Sequence, residues 1–199
     1  MRCGTIVMLN GTSSSGKTSI LIALQALLDE PYLHAGIDRF FHMLPPRYLW
    51  GPQWMEVLGN PAQPGPVGQS LISGMHHAVA ALSRAGNPVL VDHVLVERAW
   101  LVECAALFAP LPAYLIGVSC PLLLAEQREY RRNDRAPGQA RAYFDRVHAH
   151  GVYDFMVDTA AADADTCAQQ IQQFLATGAA PVAFSRLSRQ YRVSALPHE

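Results

Sequence analysis

A glycine-rich stretch near the start of the chain constrains the fold more than any other feature. Residues 8–18 read M-L-N-G-T-S-S-S-G-K-T and satisfy the pattern G-x-x-x-x-G-K-[ST]. The fixed positions of the pattern are Gly11, Gly16, Lys17 and Thr18. The apolar run Thr5–Leu9 before it predicts a buried strand, and Ser19–Leu28 after it, apolar almost all round, predicts a buried helix. Strand, glycine loop and helix is the context in which this pattern binds phosphate groups.

The chemistry of this loop indicates a nucleotide with magnesium as the ligand. Glycines let backbone N–H groups turn inward around phosphate oxygens, and the following helix adds the positive end of its dipole. Lys17, the only lysine beside fourteen arginines, would reach the β- and γ-phosphates, and the Thr18 hydroxyl would bind Mg²⁺. The residues predicted to contact the nucleotide are Gly11, Thr12, Ser13, Ser14, Ser15, Gly16, Lys17, Thr18 and Ser19. A glycine-serine turn that matches the pattern by chance is the alternative.

Composition places the chain among globular proteins. Half of its 199 residues are hydrophobic and 16% are charged, which is typical of a folded domain. The net charge of −1 gives no electrostatic reason to expect a nucleic-acid partner.

The sequence also carries no predicted membrane or metal-thiolate signal. No apolar run is as long as a membrane span, and the N-terminal run is too short for a signal peptide. The four cysteines are scattered without a C-x-x-C pair, which predicts reduced thiols and no zinc site. We therefore expect a cytoplasmic protein without a membrane partner. The sequence leaves the oligomeric state open, and a homo-oligomer is compatible with it.

Strand-like and helix-like segments alternate along most of the chain. The predicted strands are Thr5–Leu9, Tyr32–Ile37, Pro88–Asp92, Ala113–Val118 and Phe155–Asp158. The predicted helices are Ser19–Leu28, Ser70–Arg84, Glu97–Phe108, Pro121–Arg132, Gly138–His148 and Asp165–Leu175. This alternation predicts an α/β fold with a parallel sheet and right-handed crossovers, whose ligand lies beyond the carboxyl ends of the strands. We assign residues 1–178 to a single domain and residues 179–199 to a C-terminal extension.

Two segments do not follow this alternation. Pro45–Gly68 contains six prolines and is predicted to be a long loop, which in a compact domain usually serves as a lid or a binding loop. A disordered excursion is the alternative, but large apolar residues such as Trp50 and Trp54 argue against it. The segment Pro181–Glu199 has a weak pattern and is predicted to be a surface extension.

Carboxylates follow several predicted strands and should lie at the same edge of the sheet as the glycine loop. They are Asp38, Asp92 and Asp158. Asp38 could act as a general base that accepts the proton of an attacking hydroxyl, or it could be a helix N-cap or turn residue. Asp92 ends a V-L-V-D strand as a Walker-B aspartate does and could bind Mg²⁺, or it could cap the next helix.

Arginines are concentrated between residues 128 and 146, where six of the fourteen lie. Three of them recur at helical spacing and are Arg128, Arg132 and Arg135. Guanidinium groups neutralise the charge that spreads over phosphate oxygens during phosphoryl transfer, so we interpret this stretch as a lid over the nucleotide. A solvated helix face, with Glu126 and Glu129 as partners, is the alternative.

The histidines are not predicted to form a site. His93, next to Asp92, is expected to pack locally rather than to take part in catalysis. Four others show no spacing of a metal-ligand set and are expected to be surface or hydrogen-bonded residues: His76, His77, His148 and His150.

Five ordered motifs together resemble the chloramphenicol phosphotransferase family. They are L-N-G-x-S-S-x-G-K-[ST] in the glycine loop, Gly36-Ile37-Asp38, Val91-Asp92, R-E-x-x-R-x-D-R-x-x-G from Arg128, and V-H…G-x-Y-D-x-x-V-D-T from Val147 to Thr159. The resemblance extends over residues 5–177. It implies a P-loop kinase fold like that of shikimate and nucleotide kinases. That fold has three α/β/α layers and a five-stranded parallel sheet in the order 2-3-1-4-5.

The resemblance also implies a reaction, namely the Mg-ATP-dependent phosphorylation of a hydroxyl on a small molecule. Asp38 falls at the position of the family's proposed base, and Arg128 and Arg132 fall where such kinases place lid arginines. The predicted catalytic residues are therefore Asp38, Lys17, Arg132 and Arg135, with Arg128 and Arg132 also binding nucleotide and with Thr18 and Asp92 as metal ligands.

The acceptor is left open because Pro45–Gly68, which helps to wall the acceptor pocket in the family, departs from the family pattern here. A kinase of a nucleoside or a shikimate-like metabolite is one alternative. A nucleotide-dependent regulatory protein with slow hydrolysis is another.

Overall fold

Five parallel strands form one sheet at the centre of the protein, in the order β2-β3-β1-β4-β5. The structure is a computed structural model that describes residues 2–50, 53, 57, 65–132 and 138–193. The strands are β1 (Ile6–Asn10), β2 (Leu33–His34), β3 (Val89–His93), β4 (Ala113–Ser119) and β5 (Phe155–Asp158). The predicted sheet order is confirmed. In the register, Leu9 pairs with Asp92 of β3 on one side and Ile116 of β4 on the other.

Helices cover both faces of this sheet. Their bounds are α1 (Lys17–Leu27), α2 (Ile37–Phe41), α3 (Pro46–Trp50), α4 (Pro66–Arg84), α5 (Arg98–Phe108), α6 (Leu122–Tyr130), α7 (Gln139–Val147), α8 (Ala164–Ala176) and α9 (Ala183–Val193). Within the described ranges, no helix is long and apolar enough to cross a membrane.

The alternation of side chains along β1 divides the core into two layers. Ile6 and Met8 pack into a cluster with residues of α4, α5 and α9, whereas Val7 and Leu9 pack into a second cluster with residues of α1 and α8. Every residue of β1 and β3 is buried because both faces of the central strands are covered by helices. Each fully buried aliphatic side chain contributes about 1.5–3 kcal/mol, so the central strands hold the site edge rigidly.

Two predicted boundaries around the second strand and the long loop are wrong. Ile37 begins α2 instead of ending the strand, because β2 pairs with β3 over only two residues. α4 begins at Pro66 and includes Gly68, since proline is well tolerated in the first turn of a helix. A Cβ at position 68 would lie 1.9 Å from the carbonyl oxygen of Val57, so this close approach requires glycine. The remainder of the predicted loop contains α3, and Trp54 lies outside the described residues.

The predicted surface extension is also wrong as far as residue 193, because α9 belongs to the core. Phe184 and Leu187 are buried, and the Phe184 ring packs edge-on against Phe108 of α5 at 5.3 Å. The first turn of α9 is held by the carboxylate of Asp154, whose Oδ1 accepts the N–H groups of Val182 and Ala183 at 2.7 and 2.9 Å. Residues 194–199 lie outside the described part of the chain.

Candidate active site

The glycine loop connects the carboxyl end of β1 to the start of α1, as predicted. Gly16 adopts the left-handed φ of 100° that favours glycine, and Ser14 has a φ of 59°, the one positive φ among the described non-glycine residues. Gly11 lies so close to β4 that a Cβ there would be 2.6 Å from the carbonyl oxygen of Val118. The two glycines of the pattern are therefore required by backbone geometry and close packing.

The polar groups of this loop fit a phosphate. The hydroxyls of Ser13, Ser14 and Ser15 are buried and have no hydrogen-bond partner within the protein. Leaving such a donor unsatisfied costs about 1–3 kcal/mol each, and phosphate oxygens would satisfy all three. The Lys17 ammonium, 8% exposed, donates to the carbonyl oxygen of Thr12 at 2.7 Å, which keeps its charge inside the loop.

A carboxylate and a hydroxyl meet at the end of the loop. Thr18 Oγ1 donates to Asp92 Oδ2 at 2.6 Å, and His34 Nε2 lies 3.8 Å from Asp92 Oδ1. Burial by itself would raise the pKa of Asp92, but the neighbouring His34 imidazole, the hydrogen bond from Thr18 and the charge of Lys17 lower it to about 2. A Cβ at Gly36 would overlap Asp92 Oδ1, so glycine is needed there for the carboxylate to take this position.

The Thr18–Asp92 pair fits a magnesium site. Mg²⁺ prefers oxygen ligands, keeps several waters and takes few ligands from the protein when nucleotide phosphates supply others. An ionised carboxylate beside a hydroxyl at the mouth of a phosphate loop is such a donor set. In the described part of the chain, no group of three or more His, Cys, Asp or Glu residues could hold a metal alone.

The alternative roles of Asp38 and Asp92 as helix N-caps do not agree with the structure. The N-cap of α2 is Gly36, and Asp38 lies within the first turn of the helix. The N-cap of α5 is Glu97, five residues beyond Asp92. Asp38 is half-buried on α2, two residues after the glycine that contacts Asp92, so it lies at the predicted edge of the sheet. Its role as a base stays a prediction.

Arg128 is fixed against the back of the phosphate loop. Its Nη1 and Nη2 donate to Oγ1 and the carbonyl oxygen of Thr159, both at 2.9 Å. Nη1 also lies 3.4 Å from the carbonyl oxygen of Ser15, and Thr159 Oγ1 donates to the same oxygen at 2.9 Å. The guanidinium therefore lies next to Gly16 of the phosphate loop.

The other predicted lid arginines do not share this position. α6 ends at Tyr130, so the helical spacing that grouped Arg128 with Arg132 does not hold. Arg132 is exposed beyond the helix end, and Arg135 lies outside the described residues.

Asp158, the third predicted carboxylate, is exposed and accepts the N–H of Ala160 at 2.8 Å.

Among the described residues, neither glutamate of α6 pairs with Arg128, the arginine of that helix, as the solvated-face alternative required. Glu126 pairs with Arg141 of α7 at 2.7 Å. Glu129 is buried, and its two oxygens accept the N–H groups of Gly138 and Ala140 at 2.8 Å each. Glu129 therefore holds the start of α7, which Thr12 also contacts through a 2.8 Å hydrogen bond to the carbonyl oxygen of Ala140.

Two uncharged residues that organise the site belong to the quoted motifs but were assigned no role from the sequence. Thr159 connects Arg128 to the phosphate loop. Asn10, fully buried, donates to the carbonyl oxygen of Val147 at 2.9 Å and to the Tyr153 hydroxyl at 2.8 Å, and its Oδ1 accepts the N–H of Leu95. Both residues lie directly after strand cores, where polar side chains reach the carboxyl edge of the sheet, and that position was the available signal.

The fold and the site together define a phosphotransferase of the P-loop kinase class. A parallel sheet in the order 2-3-1-4-5, a glycine loop with orphan hydroxyls, and a buried lysine beside a Thr–Asp pair are the features that support this class. The chain belongs to the chloramphenicol phosphotransferase-like family, whose sequence model matches residues 4–176.

Comparisons with known proteins agree with this assignment. A Mycobacterium tuberculosis protein named "Putative O-phosphotransferase" is 32% identical over 206 residues, which cover 94% of this chain and 89% of that protein. The APS kinase of M. tuberculosis, solved with AMPPNP and APS, has a TM-score of 0.67 at 16% identity, covering 88% of this chain and 99% of that one. Shikimate kinase from Acinetobacter baumannii, solved with shikimate, has a TM-score of 0.63 at 16% identity, with coverages of 88% and 94%. At these identities the two structures establish the fold alone.

Proposed function

We propose that this protein is an ATP-dependent O-phosphotransferase that phosphorylates a hydroxyl group of a small molecule, with Mg²⁺ bound to the nucleotide. The observation that carries the proposal is the Thr18–Asp92 hydrogen bond at the end of a loop with three unsatisfied hydroxyls. Such a loop attracts phosphates, and an ionised carboxylate beside it has no phosphate-binding role of its own. A divalent cation held by Thr18 and Asp92 would account for an ionised carboxylate beside a phosphate-binding loop.

The donor half of the proposed site uses the loop and its two neighbours. Backbone N–H groups and the serine hydroxyls would hold the phosphates, and Lys17 would neutralise the β- and γ-phosphates. Thr18 and Asp92 would hold Mg²⁺, which supplies charge neutralisation and in-line orientation of the phosphates. Arg128 would contact the phosphates from the side of Thr159, at a fixed position.

Asp38 carries the acceptor half of the proposal. The acceptor oxygen attacks the γ-phosphorus, the bond from that phosphorus to the β,γ-bridging oxygen breaks, and ADP leaves. The proton of the acceptor hydroxyl passes to the Asp38 carboxylate, which lies on α2 beside the Gly36–Asp92 contact. Arg132 and Arg135 are proposed to close over the transferred group, which would exclude water that competes with the acceptor.

Family membership makes hydroxyl-bearing antibiotics the first acceptor class to test, beginning with chloramphenicol. The structural neighbours solved with APS and with shikimate make a metabolite the second class. We also propose that the protein works in the cytoplasm, since its four cysteines are all free thiols. An acceptor from the first class would imply drug resistance, and one from the second would imply metabolism.

The test is ADP release with and without each candidate acceptor, together with the mass of the product. Each antibiotic is paired with an analogue that lacks the candidate hydroxyl, and Lys17→Ala serves as the inactive enzyme. We expect one acceptor class to stimulate ADP release and to gain one phosphoryl group. Slow hydrolysis that no hydroxyl compound stimulates, with no phosphorylated product, would instead support a regulatory nucleotide-binding protein.

A further inference from the structure

A chain of buried polar groups lies behind the proposed metal site. His93, the last residue of β3, has its Nε2 2.8 Å from Nε2 of His76 on α4. Nδ1 of His76 is hydrogen-bonded to Oε2 of Glu103 on α5, and Ser73 donates to the other carboxylate oxygen at 2.7 Å. Both imidazoles have no exposed surface, whereas the Glu103 side chain is 28% exposed. The chain therefore runs from the protein surface to the end of β3.

The direction of the hydrogen bonds in this chain is fixed by the backbone. The N–H of Val94 donates to Nδ1 of His93 at 2.7 Å, so that nitrogen is an acceptor and the proton lies on Nε2. His93 Nε2 then donates to His76 Nε2, and His76 Nδ1 donates to Glu103. Burial lowers the pKa of both histidines, which agrees with the two neutral rings that this direction requires.

Burying these polar side chains costs free energy that apolar side chains at the same positions would not cost. His76 follows Met75 of the cluster on the α4–α5 face, and the His93 ring packs 5.8 Å from the ring of Trp100, which packs against the same cluster. Buried polar groups are tolerated when every donor and acceptor is satisfied, and the hydrogen-bonded side chains of Glu103, His76 and His93 meet that condition. Such a network fixes one geometry more strictly than apolar packing does.

The geometry that it fixes is the backbone immediately after Asp92. The N–H of Val94 is held by His93, and the N–H of Leu95 is held by Oδ1 of Asn10 at 2.8 Å. Two consecutive backbone groups beyond Asp92 are thus bound to buried side chains. The carboxylate that accepts the Thr18 hydroxyl belongs to Asp92, at the start of this restrained segment.

We propose that Glu103, His76 and His93 form a positioning relay that holds Asp92 in the orientation needed to bind magnesium. None of the three is a catalytic residue, because each acts through the backbone of β3. The inference rests on the proposed function in one respect, which is the assignment of Asp92 as a metal ligand.

The test is binding of a non-hydrolysable ATP analogue, measured by calorimetry with Mg²⁺ and again with EDTA. Removing a partner that orients a metal ligand typically weakens metal affinity by about 10- to 100-fold, and we expect about tenfold weaker Mg²⁺-dependent binding in Glu103→Ala. Binding in EDTA should stay within about twofold of wild type. His77→Ala is the matched control, because His77 lies 3.7 Å from the same carboxylate but outside the relay.

Glu103→Gln separates geometry from charge. Its amide oxygen can accept from His76 while its amide nitrogen donates to Ser73, so we expect it to restore most of the magnesium dependence. Thermal unfolding of each variant is measured in parallel. If Glu103→Ala lost affinity for the analogue equally with Mg²⁺ and with EDTA, the relay would be overturned. A general structural role of Glu103 would lower both affinities.

The same titrations distinguish failure of the relay from failure of the proposed function. A wild-type protein that binds the analogue equally with Mg²⁺ and with EDTA would overturn the metal assignment and the relay with it. A magnesium dependence in wild type that Glu103→Ala leaves unchanged would overturn the relay alone.

Discussion

Replacing Glu129 with glutamine should loosen the start of α7 from the phosphate loop. The carboxylate is 5% exposed and accepts two backbone N–H groups at 2.8 Å each, those of Gly138 and Ala140. Glutamine has one acceptor oxygen, so its amide nitrogen would face an N–H group that it cannot bind. The same Ala140 accepts the Thr12 hydroxyl through its carbonyl oxygen, which connects this contact to the nucleotide site.

The magnitude follows from what the substitution removes. Losing one hydrogen bond to a charged group costs about 1.5–3 kcal/mol. Removing a negative charge from a helix N-terminus costs about 0.3–1 kcal/mol more, which gives about 2–4 kcal/mol in total. In a chain of this size each kcal/mol lowers Tm by about 2–4 °C, so we expect a fall of about 4–16 °C.

The assays are urea and thermal unfolding, followed by the KM for ATP once an acceptor is known. Glu126→Gln is the matched control three residues away on α6, since Glu126 pairs with Arg141 at the surface. Such exposed pairs contribute about 0–1 kcal/mol. The role of Glu129 as the anchor of α7 would be refuted if the two variants lost equal free energy of unfolding. It would also be refuted if the free energy of unfolding of Glu129→Gln stayed within about 0.5 kcal/mol of wild type.

Four further predictions concern the donor site, the base and the core. Lys17→Ala should abolish phosphorylated product while the unfolding midpoint stays near that of wild type. Asp38→Asn should lower kcat by about 10²-fold with nucleotide binding retained, and full activity would exclude Asp38 as the base. Because the folded pKa of Asp92 is lowered to about 2 from 3.8, its stabilisation is present above pH 3.8 and lost as the pH falls towards 2. The stability gap between wild type and Asp92→Asn, measured by urea unfolding, should shrink over that window. Phe184→Ala should cost about 3–5 kcal/mol in urea unfolding, against less than about 0.5 for the exposed Arg189→Ala.

Local patterns predicted the parts of the site that are continuous in sequence. The strand, glycine loop and first helix were predictable because apolar runs and turn glycines act over a few residues. The sheet order came from the family resemblance, since strand order depends on crossovers that periodicity does not encode.

Contacts between distant residues were not predictable from the sequence. α9 was missed because its first turn is held by Asp154, 28 residues away from Val182, and because arginines alternate in the sequence with its few apolar residues. The solvated-face alternative paired Glu129 with neighbouring arginines, but its partners are backbone N–H groups, which have no sequence signature. The histidine chain joins His76 to His93 across two elements, so no local spacing identifies it.

The docking of α9 has a consequence for how the protein is made. Asp154 binds β4 through the N–H of Leu115 and binds the start of α9 through Val182 and Ala183. Phe108 therefore keeps an uncovered apolar face until Phe184 and Leu187 have left the ribosome. During synthesis, the phosphate loop and the first four strands can form before this face closes. We expect the growing chain to be most prone to aggregation just before α9 emerges.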